Sequence, residues 1–365
     1  MSAEGLPPLR IGDLTVPLPI VQGGMGVGIS LSGLASAVAR EGGIGVIATA
    51  GIGMFEPDFA TDFREANIRA LRREIRRARS LTDGPIGVNI MVALTNFEDM
   101  VRVSIEEGVD VIFSGAGLPL NLPRLRPEGC RTKLVPIISS ARAAAILCKR
   151  WSDRYGCLPD AFVVEGPLAG GHLGFRPEQL ADPAYALERL VPQVIEAVRP
   201  FADRFGREIP VIAAGGIYTG ADIHRFLKLG AAGVQMATRF VATHECDAAA
   251  RFKQAYIEAH PEDIVIINSP VGLPGRAIRN EFLAAVERGE RKPFTCPYHC
   301  IRTCDFRRSP YCIAMALTNA QRGNLEEGFA FAGANAWRVR GIVSVRDLIQ
   351  SLVEEYREAA QRPAP

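Results

Sequence analysis

One stretch of the chain places a titratable side chain beside open backbone. In AFVVEGPLAGGHLGF (161–175) an apolar run is followed by Gly170, Gly171 and then His172. Ala161 to Val164 are too few for a helix and too apolar for a surface loop, so they read as a strand buried on both faces, as in a parallel sheet. His172 then falls just past the strand's C-terminal end. The two glycines remove the Cβ atoms that would hold a flat ligand away from the backbone, and an imidazole exchanges protons near neutral pH. The pattern points to proton transfer, or substrate orientation, beside a bound ligand; its plain alternative is a glycine turn with an incidental histidine. Glu165 ends the same strand, and a carboxylate there needs a partner: a ligand, a backbone amide, or a purely structural contact. His224, His244 and His260 read as surface or capping residues.

A second cluster lies near the C-terminus. CPYHCIRTCDFRRSPYC gathers Cys296, Cys300, Cys304 and Cys312, half of the chain's eight cysteines, with His299 and Asp305 between them. The spacing is neither that of a zinc ribbon nor that of a ferredoxin run. If the first three share a helix they recur on one face, where Cys312 could complete a four-thiolate set. Three readings stay open: an iron–sulfur cluster such as [4Fe–4S], a structural zinc, or unliganded thiols in a lid. Thiolates suit either metal.

These residues need a scaffold, and the chain supplies strands and helices in alternation. Apolar runs at Pro19–Gln22, Gly45–Ala50, Ile86–Met91, Val109–Ser114, Leu134–Ile138, Phe162–Glu165, Val211–Ala214 and Gly233–Met236 predict eight strands. Amphipathic stretches at 30–43, 141–151, 184–201 and 219–230 predict helices between them, with Ser or Thr starts and Gly stops at several. After Gly117 the pattern weakens into a Pro-rich segment. The fold expected is α/β, a (β/α)8 TIM barrel over residues 15–260, followed by a lid segment, 261–365, holding the cysteines and a terminal helix. Barrel enzymes build their sites from the loops after the strands. Glycines and polar residues concentrate there: Gln22-Gly23-Gly24-Met25, Asn89, Ser114-Gly115, the His172 motif, Gly215-Gly216 and Ala237-Thr238. The last two pairs suit a phosphate cradle of backbone N–H groups.

Composition narrows the field. Apolar residues make up 48%, charged ones 22%, and the net charge is +2, which offers nothing for nucleic acid or a membrane. The basic run Arg69–Arg79 has apolar residues at helical spacing and reads as a solvated helix face. With no signal-peptide pattern, a cytoplasmic setting is expected, where thiols stay reduced. The expected partners are a small-molecule substrate and, as an open option, further copies of the chain.

A planar phosphorylated ligand across a barrel mouth suggests flavin mononucleotide, and the motifs carry a resemblance. VQGGMG, GVNIM, SGAGLP, EGPLAGGHLG, IPVIAAGGIYTGADIHRFLKLGAAGVQMATRF and SPVGLPGRAIRN occur in the order found in the nitronate monooxygenase family, formerly 2-nitropropane dioxygenases. That family also takes in FMN-dependent enoyl-acyl-carrier-protein reductases and quinone reductases. The resemblance spans about residues 15–285. It implies that Gln22, Gly23, Gly24 and Met25 line the flavin ring, that Asn89 hydrogen-bonds it, and that Gly170 and Gly171 let it lie close; Glu165, by its position, is a further cofactor-binding candidate. It implies that Gly215, Gly216, Ala237 and Thr238 hold the phosphate, and that His172 is the base or substrate-orienting group. Ala237 stands where the family often has Gly, a change that leaves the backbone amide in place. The expected activity is nitronate oxidation with O2, with NAD(P)H-dependent reduction of enoyl thioesters or quinones as the alternative. Arg276 and Arg279 are candidates for an acidic substrate or a pyridine-nucleotide phosphate, or for structural roles. Gly333-Ala334-Asn335 either returns to the flavin mouth or anchors the tail, and we expect the second.

Overall fold

The computed structural model describes residues 5–290, 296 and 298–362. The chain opens with a hairpin, β1 (Leu9–Ile11) and β2 (Leu14–Val16). Eight parallel strands follow: β3 (Ile20–Gln22), β4 (Gly45–Ala48), β5 (Ile86–Met91), β6 (Val111–Gly115), β7 (Lys133–Ile138), β8 (Phe162–Glu165), β10 (Val211–Ala214) and β11 (Gly233–Met236), with a short β9 (Gly171–His172) after β8. Their order is β3-β11-β10-β8-β7-β6-β5-β4. Ile44 closes the ring, donating to the Ile20 carbonyl at 2.9 Å and accepting from the Gln22 N–H at 2.9 Å. The chain is a (β/α)8 TIM barrel.

Each strand is a continuous apolar run because both of its faces are covered. The inner face packs Val21, Val46, Val111, Phe113, Val135, Val163 and Ile212 with Leu9, Ile11 and Val16 of the β1–β2 hairpin, which plugs the barrel. The outer face packs on helices α1 (Ser32–Arg40), α2 (Phe63–Leu81), α3 (Phe97–Glu106), α4 (Ala141–Tyr155), α5 (Leu187–Phe205), α6 (Gly220–Lys228) and the short α7 (Thr238–Val241). Local chemistry sets several helix ends. The Ser140 side chain caps α4 at the Ala143 N–H, Thr219 and Asp222 form a capping box on α6, and Gly156 and Gly206 end α4 and α5 in the left-handed region. Between β6 and β7 no α-helix forms; the Pro-rich segment makes a short 3₁₀ helix at Leu122–Leu125.

The basic run is a face of α2. Arg64, Arg69, Arg72, Arg73, Arg76 and Arg79 pair with Asp99, Asp58, Glu106, Glu56, Glu107 and Asp110. Their charge is spent within the chain. No helix of the described residues is long and apolar enough to cross a membrane.

Beyond the barrel come α8 (Ala250–Glu258), β12 (Ile264–Asn268), β13 (Pro274–Ile278), α9 (Glu281–Glu287), α10 (Ile313–Gln321) and α11 (Val345–Gln361). β12 and β13 form an antiparallel hairpin whose second strand also pairs with β9, so three strands lie across the mouth. α11 packs against α6, where the Glu355 carboxylate accepts from the Gly220 N–H at 2.7 Å. A Cβ at Gly220 would sit 2.2 Å from the Leu352 carbonyl oxygen. Gly220→Ala is therefore expected to push α11 off its seat and destabilise the fold by about 1–3 kcal/mol, read as a lower denaturation midpoint; an unchanged midpoint would show that the seat has slack.

Candidate functional site

The strand ends surround a cavity of about 290 Å³, at the small end of ligand sites. Gly23, Gly24 and Met25 after β3, Asn89 in β5, Glu165 ending β8, Gly170 to His172, Gly215 and Gly216 after β10, and Ala237 and Thr238 after β11 all line it. Gln22 does not. It is fully buried, its side-chain oxygen accepts from the Val46 N–H at 2.9 Å and its amide donates to the Gly23 carbonyl, so it holds the barrel together below the cavity.

The floor and one wall suit an anion. Gly215 and Gly216 have φ of 94° and 83°, a region closed to most side chains. Their N–H groups and that of Ala237 donate to no acceptor among the described residues. Among the described residues no Lys or Arg lines the cavity. A phosphate here would meet backbone dipoles and the first turn of α7 rather than side-chain cations. The opposite end is apolar, walled by Met54, Phe59, Phe63, Ile313 and Leu317.

His172 stands between these ends. Its Nε2 lies 2.7 Å from Ser269 Oγ, and its ring meets the edge of Phe331, with centroids 4.9 Å apart. Burial pushes its pKa down to about 4, so the imidazole is neutral at pH 7. Glu165, with no ion-pair partner among the described residues, is pushed up to about 7 by the same cause. Ser269 and Phe331 were not distinguished by the sequence, although Ser269 begins the SPVGLP motif. Their positions come from long-range pairing: His172 stands opposite Gly275, and Phe331 bridges to Ala277.

The other candidates fall into place around this core. Arg276 is buried and donates to the carbonyls of Pro167 and Ala169, at 2.7 and 2.6 Å, so it braces the loop that carries Gly170 rather than facing the cavity. Arg279 is exposed, as are His244 and His260, while His224 packs edge-on against Tyr356. Gly333-Ala334-Asn335 departs from expectation: Gly333 lines the cavity and the Asn335 amide donates to the Gly216 carbonyl at 2.7 Å. The turn comes back to the mouth because the preceding strand-like residues run along β13. Of the cysteines, Cys300 reaches the cavity wall. Among the described residues no three His, Cys, Asp or Glu side chains stand ready around a metal position.

Known proteins share both pattern and shape. The sequence pattern of the nitronate monooxygenase family matches residues 8–355. The chain belongs to the nitronate monooxygenase family. It is accordingly an FMN-dependent oxidoreductase acting on small molecules. A probable nitronate monooxygenase of Staphylococcus saprophyticus is 27% identical, over 96% of this chain and 98% of that protein. A 5-hydroxy-7a-methyl-1-oxo-octahydro-1H-indene-4-carboxyl-CoA dehydrogenase of Mycobacterium tuberculosis is 33% identical over 75% of this chain, a match spanning 66% of the relative's own length. The structure of FabK from Thermotoga maritima has a TM-score of 0.73 and 30% identity, covering 95% of this chain and 94% of that one.

The residues present fit the family's flavin. Free N–H groups at positive-φ glycines offer a phosphate seat, and a largely apolar slot beside His172 offers room for a planar ring. Glu165 lends itself to a direct measurement. Its folded pKa of about 7 exceeds the 4.5 of a free glutamate, so its contribution to folding is full below pH 4.5 and is lost as pH rises through 7. Glu165→Gln should raise Tm at pH 8 by roughly 2–4 °C and leave it unchanged near pH 4; a shift equal at both values would mean that Glu165 does not titrate in the fold.

Proposed function

We propose that this chain catalyses the oxidative denitrification of alkyl nitronates with O2, using FMN seated across the barrel mouth. The observation that carries the proposal is a neutral, half-buried imidazole fixed between Ser269 and Phe331, at the junction of an anion cradle and an apolar slot. When bound, FMN would supply the redox chemistry, accepting electron density from the substrate while O2 completes the oxidation. In this reading Gly215, Gly216, Ala237 and Thr238 hold the phosphate; Gly23, Gly24, Met25, Gly170 and Gly171 flank the ring; Asn89 and Glu165 hydrogen-bond at its edge.

His172 does the proton work. Nε2 is engaged by Ser269, which leaves Nδ1 for substrate. If Ser269 donates to Nε2, Nδ1 carries the proton and donates to a nitronate oxygen; in the other tautomer Nδ1 accepts a proton from a neutral nitroalkane. An anion beside the ring offsets the burial that keeps it neutral, so nitronate binding draws a proton onto His172. Met54, Phe59, Phe63, Ile313 and Leu317 exclude water from the alkyl end and favour an apolar chain there. The segment beyond residue 260 serves as the lid on this substrate side.

A second reading has one support of its own, the similarity to a carboxyl-CoA dehydrogenase. Here NAD(P)H reduces the flavin and an enoyl thioester or quinone is the acceptor beside His172. Oxygen consumption with alkyl nitronates, compared with NAD(P)H oxidation in the presence of enoyl thioesters or quinones, decides between them; we expect the first to be faster.

Two outcomes test His172. His172→Ala should retain FMN and lose about 100-fold or more in kcat, and unchanged turnover would remove the residue from the mechanism. With a neutral nitroalkane as substrate, the required neutral imidazole persists down to about pH 4, so the acid limb of kcat/KM attributable to His172 should lie near 4. A limb near 6.5 would indicate an ordinary solvated imidazole.

A further inference from the structure

The arginines of α2 each meet an aspartate or glutamate, but Arg239 and Arg338, both half-buried, pair with no carboxylate among the described residues. They converge on one side chain. The guanidinium carbon of Arg239 lies 4.8 Å, and that of Arg338 4.3 Å, from the centre of the Tyr218 ring, which is 8% exposed. Arg239 also donates to the Tyr218 carbonyl at 3.0 Å. Two like charges on one ring repel, and its π-face offsets only part of that repulsion. The carboxylates gathered at the start of α6 are engaged elsewhere: Asp222 accepts from the Tyr218 and Thr219 N–H groups, at 3.0 and 2.9 Å, and Glu355 from that of Gly220.

Each member of this cluster hangs from a segment that walls the anion end of the cavity. Tyr218 follows Ile217, which lines the cavity beside Gly215 and Gly216; Arg239 follows Thr238; Arg338 ends the turn that Asn335 ties to the Gly216 carbonyl at 2.7 Å. The cavity lining includes none of the three. Consecutive Cα atoms are about 3.8 Å apart, which keeps the two charges on the order of 10 Å from the glycine N–H groups. Buried Ile217 separates Tyr218 from those glycines in the chain, so part of the path is protein rather than water and the field is screened less than at an open surface. Backbone dipoles make short contacts but bring no net charge, whereas a phosphate monoester carries about −1.5 to −2 at pH 7. Two unpaired guanidiniums match it.

We infer that Arg239 and Arg338, seated together on Tyr218, supply the counter-charge for the flavin phosphate from behind the backbone cradle, and so make the site prefer a phosphorylated flavin. The inference rests on the flavin seat proposed above. The N–H groups of Gly215, Gly216 and Ala237 fix where the phosphate sits, and the guanidiniums set how strongly its charge is held. They are positioning groups, since neither lines the cavity and neither meets the substrate. Held back in this way, they also leave the lining without a cation that would compete with His172 for an anionic substrate.

The test is the full chain stripped of flavin and titrated separately with FMN and with riboflavin, following flavin fluorescence. The wild-type chain should bind FMN the more tightly, and the ratio of the two affinities should narrow between about 0.02 and 0.5 M salt as ions screen the cluster. Arg338→Met should weaken FMN binding about tenfold at low salt, with riboflavin affinity and circular dichroism retained, and adding Arg239→Met should deepen the loss. Arg338→Lys, which keeps the charge, should lose little, and Arg199→Met, on the exposed side of α5, nothing. An equal loss for both flavins, no loss for either, or a lysine variant as weak as the methionine one overturns the inference and leaves the seat standing. A wild-type chain that binds both flavins alike overturns the seat, and the inference with it.

Discussion

The antiparallel pairing of β9 with β13 is the contact on which the site depends. Only Gly171 and His172 take part on one side, opposite Arg276 and Gly275, and the Leu173 N–H extends the ladder to the Pro274 carbonyl at 2.8 Å. That short ladder sets three things at once. It turns the imidazole toward Ser269 at the end of the β12–β13 hairpin. It brings Arg276 under Pro167 and Ala169, where its guanidinium holds the loop carrying Gly170. It also offers β13 a second edge, along which Ala330 to Ala332 run, so that Phe331 closes on the His172 ring. A glycine at 275 suits this crowding, since a Cβ there would meet the Phe331 ring at 2.8 Å.

The described lining of the cavity carries very little formal charge. Glu165 and His172 are its principal titratable groups, and desolvation drives each toward its neutral form. Negative charge on a ligand must therefore be met by N–H dipoles at Gly215, Gly216 and Ala237, which need no counterion and do not change with pH. A neutral site of this kind responds strongly to the charge of what enters it.

Much of the barrel was legible because a strand covered on both faces announces itself. Ile86–Met91, Phe162–Glu165, Val211–Ala214 and Gly233–Met236 stand in the structure with the boundaries read from their apolar runs. Glycines at the strand ends located the cavity for the same reason, since a barrel places its loops there. What remained hidden was pairing between distant segments. Nothing local at Ser269 says that it meets His172, 97 residues earlier, and nothing at Gly333-Ala334-Asn335 says that the tail returns to Gly216. The β1–β2 hairpin was missed because two three-residue strands carry too little periodicity. Gln22 misled because a polar residue at a strand end can serve the barrel as readily as the ligand, and its side-chain oxygen accepts from the buried Val46 N–H.

Gly170 touches the C-terminal segment at Ala332 and Gly333. A Cβ on it would lie 2.6 Å from the carbonyl carbon of Ala332 and from the Gly333 nitrogen, so the wall beside His172 is laid down by residues more than 150 positions downstream. During synthesis on a ribosome, the barrel strands are complete by Met236 while that wall is still unmade. The mouth of the newborn barrel stays open to solvent until the last quarter of the chain emerges and folds back across it. A chain cut short before Gly333 would therefore present a barrel without a closed pocket.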